Sequence, residues 1–261
     1  MNEDDWLKVS DHHLGESILD HRLIATRYFF PRQNRIEKVF KVRNGDVALG
    51  CYYRPYDGAE KTIIHFHGNG ETVKDYLDSP LLKLPYNILF AEYRGYGASN
   101  GEPYLVAMLD DVAVIIESLE QPKENIILFG RSIGSIYALH GASLYPDSIG
   151  GLIVESGIAD VRERILMRAT PKEIGVTQEQ FDAECHKYFD HEAKLKSFQG
   201  KTLIMHTRHD TLVDVENARK LYEWANMPKR LQLFDDGGHN SILDMNRKKY
   251  LESVDGFMDD I

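Results

Sequence analysis

The stretch that decides the fold is Ile126-Ile127-Leu128-Phe129-Gly130-Arg131-Ser132-Ile133-Gly134. Its first four residues predict a strand that is covered on both faces, because apolar and polar side chains do not alternate. A Gly-x-Ser-x-Gly pattern follows directly, and a helical pattern continues from Ile133 to Leu144. A strand that turns sharply into a helix holds the serine in a strained backbone conformation and exposes its hydroxyl oxygen. The stretch therefore predicts a nucleophile elbow, with Ser132 as the nucleophile.

A serine hydroxyl needs a neighbouring base to become a good nucleophile, and that base needs an acid to orient it. His239 lies in Asp236-Gly237-Gly238-His239-Asn240, directly after the last predicted strand. The two glycines place the imidazole on a loop beyond the carboxyl end of a strand, where open α/β sheets form their sites. We expect His239 to be the base.

The acid has three candidates. Asp210 follows the predicted strand Thr202–Met205 and precedes a helix that begins near Val215. Asp214 is the nearest competitor, although an aspartate at that position also serves as a helix N-cap. Glu155 ends another predicted strand. Position after a strand favours Asp210, and the other two stay open as alternatives.

An oxyanion hole needs two backbone N–H groups that point at the developing negative oxygen, each worth about 10²–10³ in rate. One is expected from Ile133, immediately after the nucleophile. The second is expected from His67-Gly68-Asn69-Gly70, which follows the predicted strand Thr62–Phe66. Glycines let this backbone approach a substrate closely. Asn69 is the favoured donor and Gly70 the alternative.

The rest of the chain alternates short apolar runs with longer helical patterns. The predicted strands are Val39–Val42, Val47–Tyr53, Thr62–Phe66, Ile88–Glu92, Ile126–Phe129, Leu152–Val154, Thr202–Met205 and Leu231–Phe234. The predicted helices between them are Tyr104–Leu119, Ile133–Leu144, Val215–Trp224 and Arg247–Met258. This alternation predicts the α/β class, with a mostly parallel, twisted sheet flanked by helices. The turn Asn44-Gly45-Asp46 predicts an antiparallel hairpin at the sheet edge.

One segment interrupts the alternation. Residues Gly157–Gly200 separate two predicted strands, which is far more than an ordinary connection needs. Helical patterns over Val161–Arg168 and Gln178–Leu195 indicate an inserted helical cap. We therefore expect a core formed by residues 1–156 and 201–261, with a cap at 157–200. The aromatic run Tyr28-Phe29-Phe30-Pro31 is expected to pack on the sheet edge.

Composition excludes several functional classes. The 261 residues are 43% apolar and 28% charged, which is typical of a globular protein and not of a disordered or collagen-like one. The 31 Lys and Arg residues against 41 Asp and Glu give a net charge of −10. Nucleic acids and anionic membranes are therefore unfavourable partners. Nothing in the sequence indicates an oligomeric state.

The cysteines and the hydropathy profile indicate the compartment. Cys51 and Cys185 fit no metal-binding or redox spacing, and two isolated thiols suit a reducing environment. No apolar stretch approaches the roughly 20 residues that span a bilayer, and the acidic N-terminus is unlike a signal peptide. We expect a cytoplasmic protein with no membrane span.

Metal and nucleotide sites are not expected. Two groups of side chains were candidates for metal ligation: His65 with His67, and His206 with His209, Asp210 and Asp214. Neither has the convergent ligand set of a zinc site, so these histidines are expected to be buried or to cap loops. Gly95-x-Gly97 lacks the third glycine of a dinucleotide-binding turn. We therefore predict no metal and no cofactor.

Taken together and in this order, the motifs resemble those of the α/β-hydrolase superfamily, in particular its BEM46-like and ABHD-type small serine hydrolases. The resemblance covers about residues 36–261 and rests on His67-Gly68-Asn69-Gly70, Glu92-Tyr93-Arg94-Gly95-Tyr96-Gly97-Ala98-Ser99, Gly130-Arg131-Ser132-Ile133-Gly134 and the pair Asp210 and His239. It implies a Ser132–Asp210–His239 triad, with Asn69 and Ile133 as oxyanion donors. Val213-Asp214 stand where the family often has Val-Pro.

The sequence thus predicts a serine hydrolase that cleaves carboxylic esters, or related thioesters or amides, through an acyl-enzyme on Ser132. The expected partner is a small-molecule acyl substrate. Alternatives are a peptidase or aminopeptidase, an acyl thioesterase, and a non-catalytic binding protein on the same fold. The apolar residues of the 157–200 segment favour an apolar acyl chain of short to medium length, unless they only pack its helices: Ile165, Leu166, Met167, Phe181, Tyr188 and Phe189.

Overall fold

The computed structural model describes residues 17–261. The acidic N-terminus and the first sixteen residues of the predicted core lie outside this range. The strands are β1 (Phe40–Asn44), β2 (Val47–Arg54), β3 (Thr62–Phe66), β4 (Asn87–Ala91), β5 (Ile126–Arg131), β6 (Gly151–Glu155), β7 (Lys201–Thr207) and β8 (Lys229–Phe234). The helices are α1 (Arg22–Tyr28), α2 (Ala107–Glu117), α3 (Gly134–Leu144), α4 (Val161–Leu166), α5 (Gln178–Phe189), α6 (His191–Ser197), α7 (Glu216–Trp224), α8 (Ile242–Met245) and α9 (Arg247–Asp259).

The eight strands form one sheet in the order β1-β2-β4-β3-β5-β6-β7-β8. β1 pairs with β2, and β2 with β4, in antiparallel register, whereas the other neighbours are parallel. The predicted edge hairpin and the predicted mostly parallel sheet are both confirmed. Helices cover both faces, and each face buries its own apolar cluster.

The topology brings several loops to one edge of the sheet. Every residue of β3, β4, β5 and β6 is buried, as the unbroken apolar runs predicted. β5 lies between β3 and β6, so the turn after Arg131 emerges near the middle of the sheet. The carboxyl ends of parallel strands share one edge, and the loops after β3, β7 and β8 therefore converge on this turn.

The segment between β6 and β7 contains α4, α5 and α6. The predicted helical pattern Gln178–Leu195 is two helices, because Asp190 leaves the helical conformation at ψ 82°. Its side chain accepts a hydrogen bond from the N–H of Ala193 and so caps α6. α6 packs against α3 and α7, within the helical layer that covers the sheet. The division of the chain into core and cap stays a prediction.

The apolar side chains of this segment mostly pack its own helices. Ile165, Phe181 and Phe189 are buried in the larger core cluster, and Leu166 and Tyr188 pack against that cluster. Met167 is the exception, at 61% exposed. Most of the six apolar residues therefore pack the helices of this segment onto the core.

The aromatic run near the N-terminus packs into the larger core cluster through Tyr28 and Phe29. Tyr28 and Phe29 are buried, and the run contacts the loop after β3. The Tyr28 carbonyl accepts a hydrogen bond from Asn69 Nδ2 at 2.5 Å, and the Phe30 N–H donates to Asn69 Oδ1 at 3.1 Å. Polar groups of that loop thus help to fix the run, and its packing on the sheet edge stays a prediction.

The two cysteines are free, and both are buried. Burial raises the pKa of the Cys51 and Cys185 thiols to about 12, so both are protonated and poorly reactive near neutral pH. Within residues 17–261, no helix combines the length and the apolar character needed to cross a bilayer.

Candidate active site

Ser132 lies on a tight turn between β5 and α3, and its φ is +52°. This left-handed conformation is rare for a residue other than glycine and indicates backbone strain. Two neighbouring glycines make the turn possible. A Cβ on Gly130 would lie 2.5 Å from the Gly134 carbonyl oxygen, and one on Gly134 would lie 2.1 Å from that of Phe66.

The structure brings Ser132, His239 and Asp210 into one hydrogen-bonded row. His239 Nε2 lies 2.9 Å from Ser132 Oγ, and His239 Nδ1 lies 2.7 Å from Asp210 Oδ2. All three residues are buried to at least nine-tenths. Because a carboxylate only accepts hydrogen bonds, Nδ1 carries the proton, and Nε2 is then free to accept one from the serine.

Asp210 is held by its own loop. Its Oδ1 accepts hydrogen bonds from the N–H groups of Leu212, at 2.9 Å, and Val213, at 2.8 Å. Burial raises the pKa of this carboxyl, but hydrogen bonds from His206, His239 and the Val213 N–H outweigh burial and hold the pKa well below its usual range. Asp210 is therefore ionised across the physiological range.

The competing acids make other contacts. Asp214 Oδ1 accepts a hydrogen bond from the Glu216 N–H at 2.8 Å, at the start of α7. Glu155 pairs with Arg131 and accepts a hydrogen bond from the hydroxyl of Tyr250. Neither carboxylate has a hydrogen bond to His239, which leaves Asp210 as the acid partner of the imidazole.

The predicted oxyanion donors are unpaired. Among the described residues, no hydrogen bond within the chain uses the backbone N–H of Asn69 or of Ile133. Ile133 directly precedes α3, whose N-terminus adds positive electrostatic potential beside Ser132. Both N–H groups are thus available to a substrate oxygen, which is what an oxyanion hole requires.

The side chain of Asn69 has a role that the sequence did not reveal. Its Oδ1 accepts hydrogen bonds from the Phe30 N–H and from Tyr96 Oη, the latter at 2.9 Å, while Nδ2 donates to Tyr28 O. All of its polar atoms are therefore used to fasten the loop to other segments. Gly70, the alternative donor, has a φ of +76° in the same loop.

His67 also fastens this loop. Its Nε2 lies 2.7 Å from Glu92 Oε1 and its Nδ1 lies 2.8 Å from the Gly68 carbonyl oxygen, so both ring nitrogens face acceptors. Burial lowers the pKa of His67. The hydrogen bond to Glu92 and the negative charge of Glu92 raise it by more, so the net pKa is above its usual value. When the ring is protonated, both of its N–H groups have acceptors, and His67 forms a buried ion pair with Glu92.

Two of the histidines named above as candidate metal ligands, His65 and His206, have other contacts. His65 lies among the rings of Tyr76, Phe90 and Phe129, and His206 Nε2 donates to the Val213 carbonyl at 2.9 Å. Over residues 17–261, no group of three or more His, Cys, Asp or Glu side chains is arranged to hold a metal ion.

The sequence did not predict the polar side chains that hold the loops around Ser132, chiefly Glu71, Glu92 and Arg131. Arg131 stands at the variable position of the Gly-x-Ser-x-Gly pattern, where no residue type was expected. A charged residue at the end of an otherwise apolar strand was the only signal that could have singled it out. Glu71 and Arg131 line a cavity of about 380 Å³, together with Glu155 and Asn240, among others.

Comparison with known proteins agrees with this architecture. The family model described as "Serine aminopeptidase, S33" matches residues 57–181. The uncharacterized protein YfhR of Escherichia coli O157:H7 is 29% identical over 213 residues, which cover 78% of this chain and 72% of that protein. The uncharacterized membrane protein YNL320W of Saccharomyces cerevisiae is 29% identical over 164 residues, covering 60% of this chain and 56% of the relative.

A relative with the family in its name and a solved structure extend the likeness. The alpha/beta hydrolase domain-containing protein aho-3 of Caenorhabditis elegans is 24% identical over 250 residues, or 91% of this chain and 71% of that protein. The structure of Est1E from Butyrivibrio proteoclasticus, with ferulic acid bound, has a TM-score of 0.70 at 18% identity and covers 84% of this chain and 97% of that one. That likeness shows the fold. The fold, the matching family model and the named relatives together make the chain similar to α/β hydrolases of the ABHD type.

Proposed function

We propose that this protein is a serine hydrolase that cleaves carboxylic esters through an acyl-enzyme on Ser132. The observation that carries the proposal is the row Ser132 Oγ, His239 Nε2, His239 Nδ1 and Asp210 Oδ2, with separations of 2.9 and 2.7 Å. These are hydrogen-bond distances between a nucleophile, a base and an orienting acid. The strained elbow and the unpaired N–H of Ile133, next to the serine, support the same reaction.

The proposed reaction begins with proton transfer from Ser132 Oγ to His239 Nε2 as the oxygen attacks the ester carbonyl carbon. Asp210 keeps the imidazole in the required tautomer and stabilises the imidazolium that forms. The N–H groups of Asn69 and Ile133 bind the oxyanion. His239 then protonates the leaving alcohol, and a water molecule that His239 deprotonates releases the acid and restores Ser132.

A small-molecule acyl ester is the proposed substrate class, with thioesters and amides as related substrates. Because most apolar side chains of the 157–200 segment are buried in the core cluster, they offer little support for a long acyl pocket. A series of p-nitrophenyl esters of increasing chain length measures the pocket directly. We expect kcat/KM to peak at short chains.

The experiment that tests the proposal is the Ser132→Ala variant with p-nitrophenyl acetate and a fluorophosphonate probe. Loss of the nucleophile is expected to lower kcat by about 10⁶-fold and to abolish labelling. Ser143→Ala, on α3 but with its hydroxyl bonded to the His140 carbonyl, is the matched control and should retain both. Turnover by Ser132→Ala at the wild-type rate would rule the proposal out.

The acid assignment has its own test. Asp210→Asn replaces the carboxylate that accepts from His239 Nδ1 with a neutral amide. We expect kcat to fall by about 10⁴-fold. Asp214→Asn preserves an oxygen that accepts from the Glu216 N–H, so kcat should stay unchanged. A larger loss in Asp214→Asn than in Asp210→Asn would show that the acid is misassigned.

Aminopeptidase activity is a second candidate, because the matching family model is described as a serine aminopeptidase. The proposed chemistry is the same for amides, with an amine as the leaving group. Amino acid p-nitroanilides with a free amino group, compared with p-nitrophenyl esters on the same enzyme, discriminate the two. The higher kcat/KM identifies the activity.

We also propose a cytoplasmic location. The two free, buried cysteines support it, since such thiols persist in a reducing compartment. Fractionation of cells that express the untagged chain tests this. Recovery of the protein in the washed membrane fraction would contradict it.

A further inference from the structure

Arg131 lies immediately before Ser132, and the reaction proposed above gives it no task. Only 8% of its surface is exposed. Placing a guanidinium this deep is costly unless charged and polar partners surround it. Its partners lie on three different segments, and two of these segments carry the candidate catalytic groups.

The first segment is the loop that carries the candidate base. Arg131 Nη2 donates to the backbone carbonyl of His239 and to Asn240 Oδ1, each at 3.1 Å. The carbonyl belongs to the residue whose ring must lie between Ser132 and Asp210. A shift of this backbone would therefore move the imidazole away from both partners.

The second segment is the loop that carries the candidate oxyanion donor. Arg131 Nη1 lies 2.5 Å from Glu71 Oε1, and Glu71 Oε2 accepts a hydrogen bond from the Gly68 N–H at 2.6 Å. A Cβ on Gly68 would lie 2.2 Å from Arg131 Nη1. The guanidinium thus occupies the space of a side chain at position 68, directly before Asn69.

The third segment is the end of β6, which fixes the arginine itself. Arg131 Nε lies 3.1 Å from Glu155 Oε1, and the Glu155 backbone carbonyl accepts a hydrogen bond from the Ser132 N–H at 2.8 Å. Tyr250 donates its hydroxyl to the other oxygen of Glu155. The two carboxylates beside the guanidinium offset its charge, so that it does not oppose a positive charge on His239.

We propose that Arg131 is a positioning residue that sets the His239 loop and the Gly68–Asn69 loop relative to Ser132. The proposal rests on the function proposed above. A planar guanidinium directs its N–H groups to fixed and widely separated acceptors, whereas the ammonium of a lysine cannot reach all of them from one point. Misplacing reacting groups by about 1 Å costs about 10²-fold in rate.

The test compares Arg131→Lys with Arg54→Lys. Arg54 is the matched control: it donates to the carbonyls of Leu82 and Leu84, and it lies opposite the start of β4, at the other end of the parallel strands. The measurements are kcat and KM for p-nitrophenyl acetate, the melting temperature, and the low-field proton NMR resonance of the N–H between His239 and Asp210. The resonance reports the position of the imidazole without any substrate.

We expect Arg131→Lys to lower kcat by about 10- to 100-fold with little change in KM and to lose the low-field resonance. Arg54→Lys should lower only the melting temperature. An Arg131→Lys variant that keeps either kcat or the resonance, while melting like Arg54→Lys, overturns the proposal, because Arg131 would then serve stability alone.

Two other results are covered by the design of the experiment. If the wild-type protein neither hydrolyses esters nor reacts with fluorophosphonate, the proposed function fails, and the resonance alone decides the role of Arg131. If Arg131→Lys does not fold, Glu71→Gln takes its place, since glutamine still accepts from the Gly68 N–H but loses the ion pair. A lower kcat then supports the proposal, and an unchanged kcat overturns it.

Discussion

The elbow after β5 and the loop after β3 both follow buried parallel strands, yet different forces hold them. The elbow is fixed by its own backbone, because Ser132 has a positive φ and the flanking glycines have no room for a Cβ. The loop after β3 is fixed by its own side chains Asn69, His67 and Glu71, which contact distant segments. Steric constraints of the first kind can be inferred from a local sequence pattern, whereas the partners in contacts of the second kind cannot.

The largest effect is expected from a methyl group added beside the elbow. In Gly134→Ala the new Cβ would lie 2.1 Å from the Phe66 carbonyl oxygen, and backbone cannot yield as a flexible side chain does. We expect the free energy of unfolding to fall by more than about 3 kcal/mol, measured by chemical denaturation.

Gly256→Ala is the control, since this glycine lies within α9 with its nearest side chain at 4.0 Å. There the methyl group should raise the free energy of unfolding by about 0.5–1 kcal/mol. Equal destabilisation by the two variants would contradict the steric account of the elbow.

A smaller effect is expected where the loop after β3 is fastened. Asn69→Ala removes the hydrogen bonds to the Tyr28 carbonyl, the Phe30 N–H and Tyr96 Oη but leaves the backbone N–H in place. If that N–H is an oxyanion donor, losing its position lowers kcat by up to about 10²-fold, with KM nearly unchanged.

Asn226→Ala is the matched control for this prediction. Its amide nitrogen also bridges two segments, donating to the carbonyls of Lys196 and Phe198, but it lies before β8, at the far edge of the sheet. This variant should lose stability and keep kcat. Unchanged kcat in Asn69→Ala would mean that the side-chain contacts do not hold the loop.

The smallest effect is a dependence of stability on pH. The pKa of His67 is raised in the folded protein. Its pair with Glu92 therefore stabilises the fold fully at pH values below the pKa of histidine in the unfolded chain, about 6.5. That stability is lost as pH rises through the folded pKa. The difference in melting temperature between wild type and His67→Asn should therefore shrink from acidic to alkaline pH.

His186→Asn serves as the control for the His67 prediction, since the ring of His186 is 80% exposed and pairs with Asp190 at the surface. Exposed ion pairs contribute little to stability. The melting temperature of His186→Asn should therefore equal that of the wild type at every pH. A His67→Asn difference that grows with pH would reverse the sign and refute the ion pair.

Local signals predicted the parts of the molecule that local forces determine. β3 was predicted with its observed bounds, and the hairpin before it was predicted from a single turn. Motif order placed Ser132, Asp210 and His239 near the same sheet edge, where the structure brings them within hydrogen-bond distance. Their catalytic roles stay predictions.

The parts that were missed depend on partners far along the chain. Asn69 is fastened to residues about forty positions earlier, and Arg131 to a histidine 108 positions later. The break at Asp190 was missed for a different reason, because a capping aspartate inside a helical pattern does not by itself show that the helix ends there. Hydrophobic periodicity does not predict the distant contacts of Asn69 and Arg131, since any polar residue at these positions is compatible with the periodic pattern.

The segment from Ser17 to Phe30 contacts both the helical segment between β6 and β7 and the loop after β3. Ser17 Oγ donates to Glu184 on α5, Arg27 pairs with Glu173, and Tyr28 and Phe30 hold Asn69. A deletion variant that starts after Phe30 would keep every strand and the proposed nucleophile, base and acid. We expect such a shortened enzyme to be a poor catalyst, because the loop that carries Asn69 would lose its hydrogen bonds with Tyr28 and Phe30.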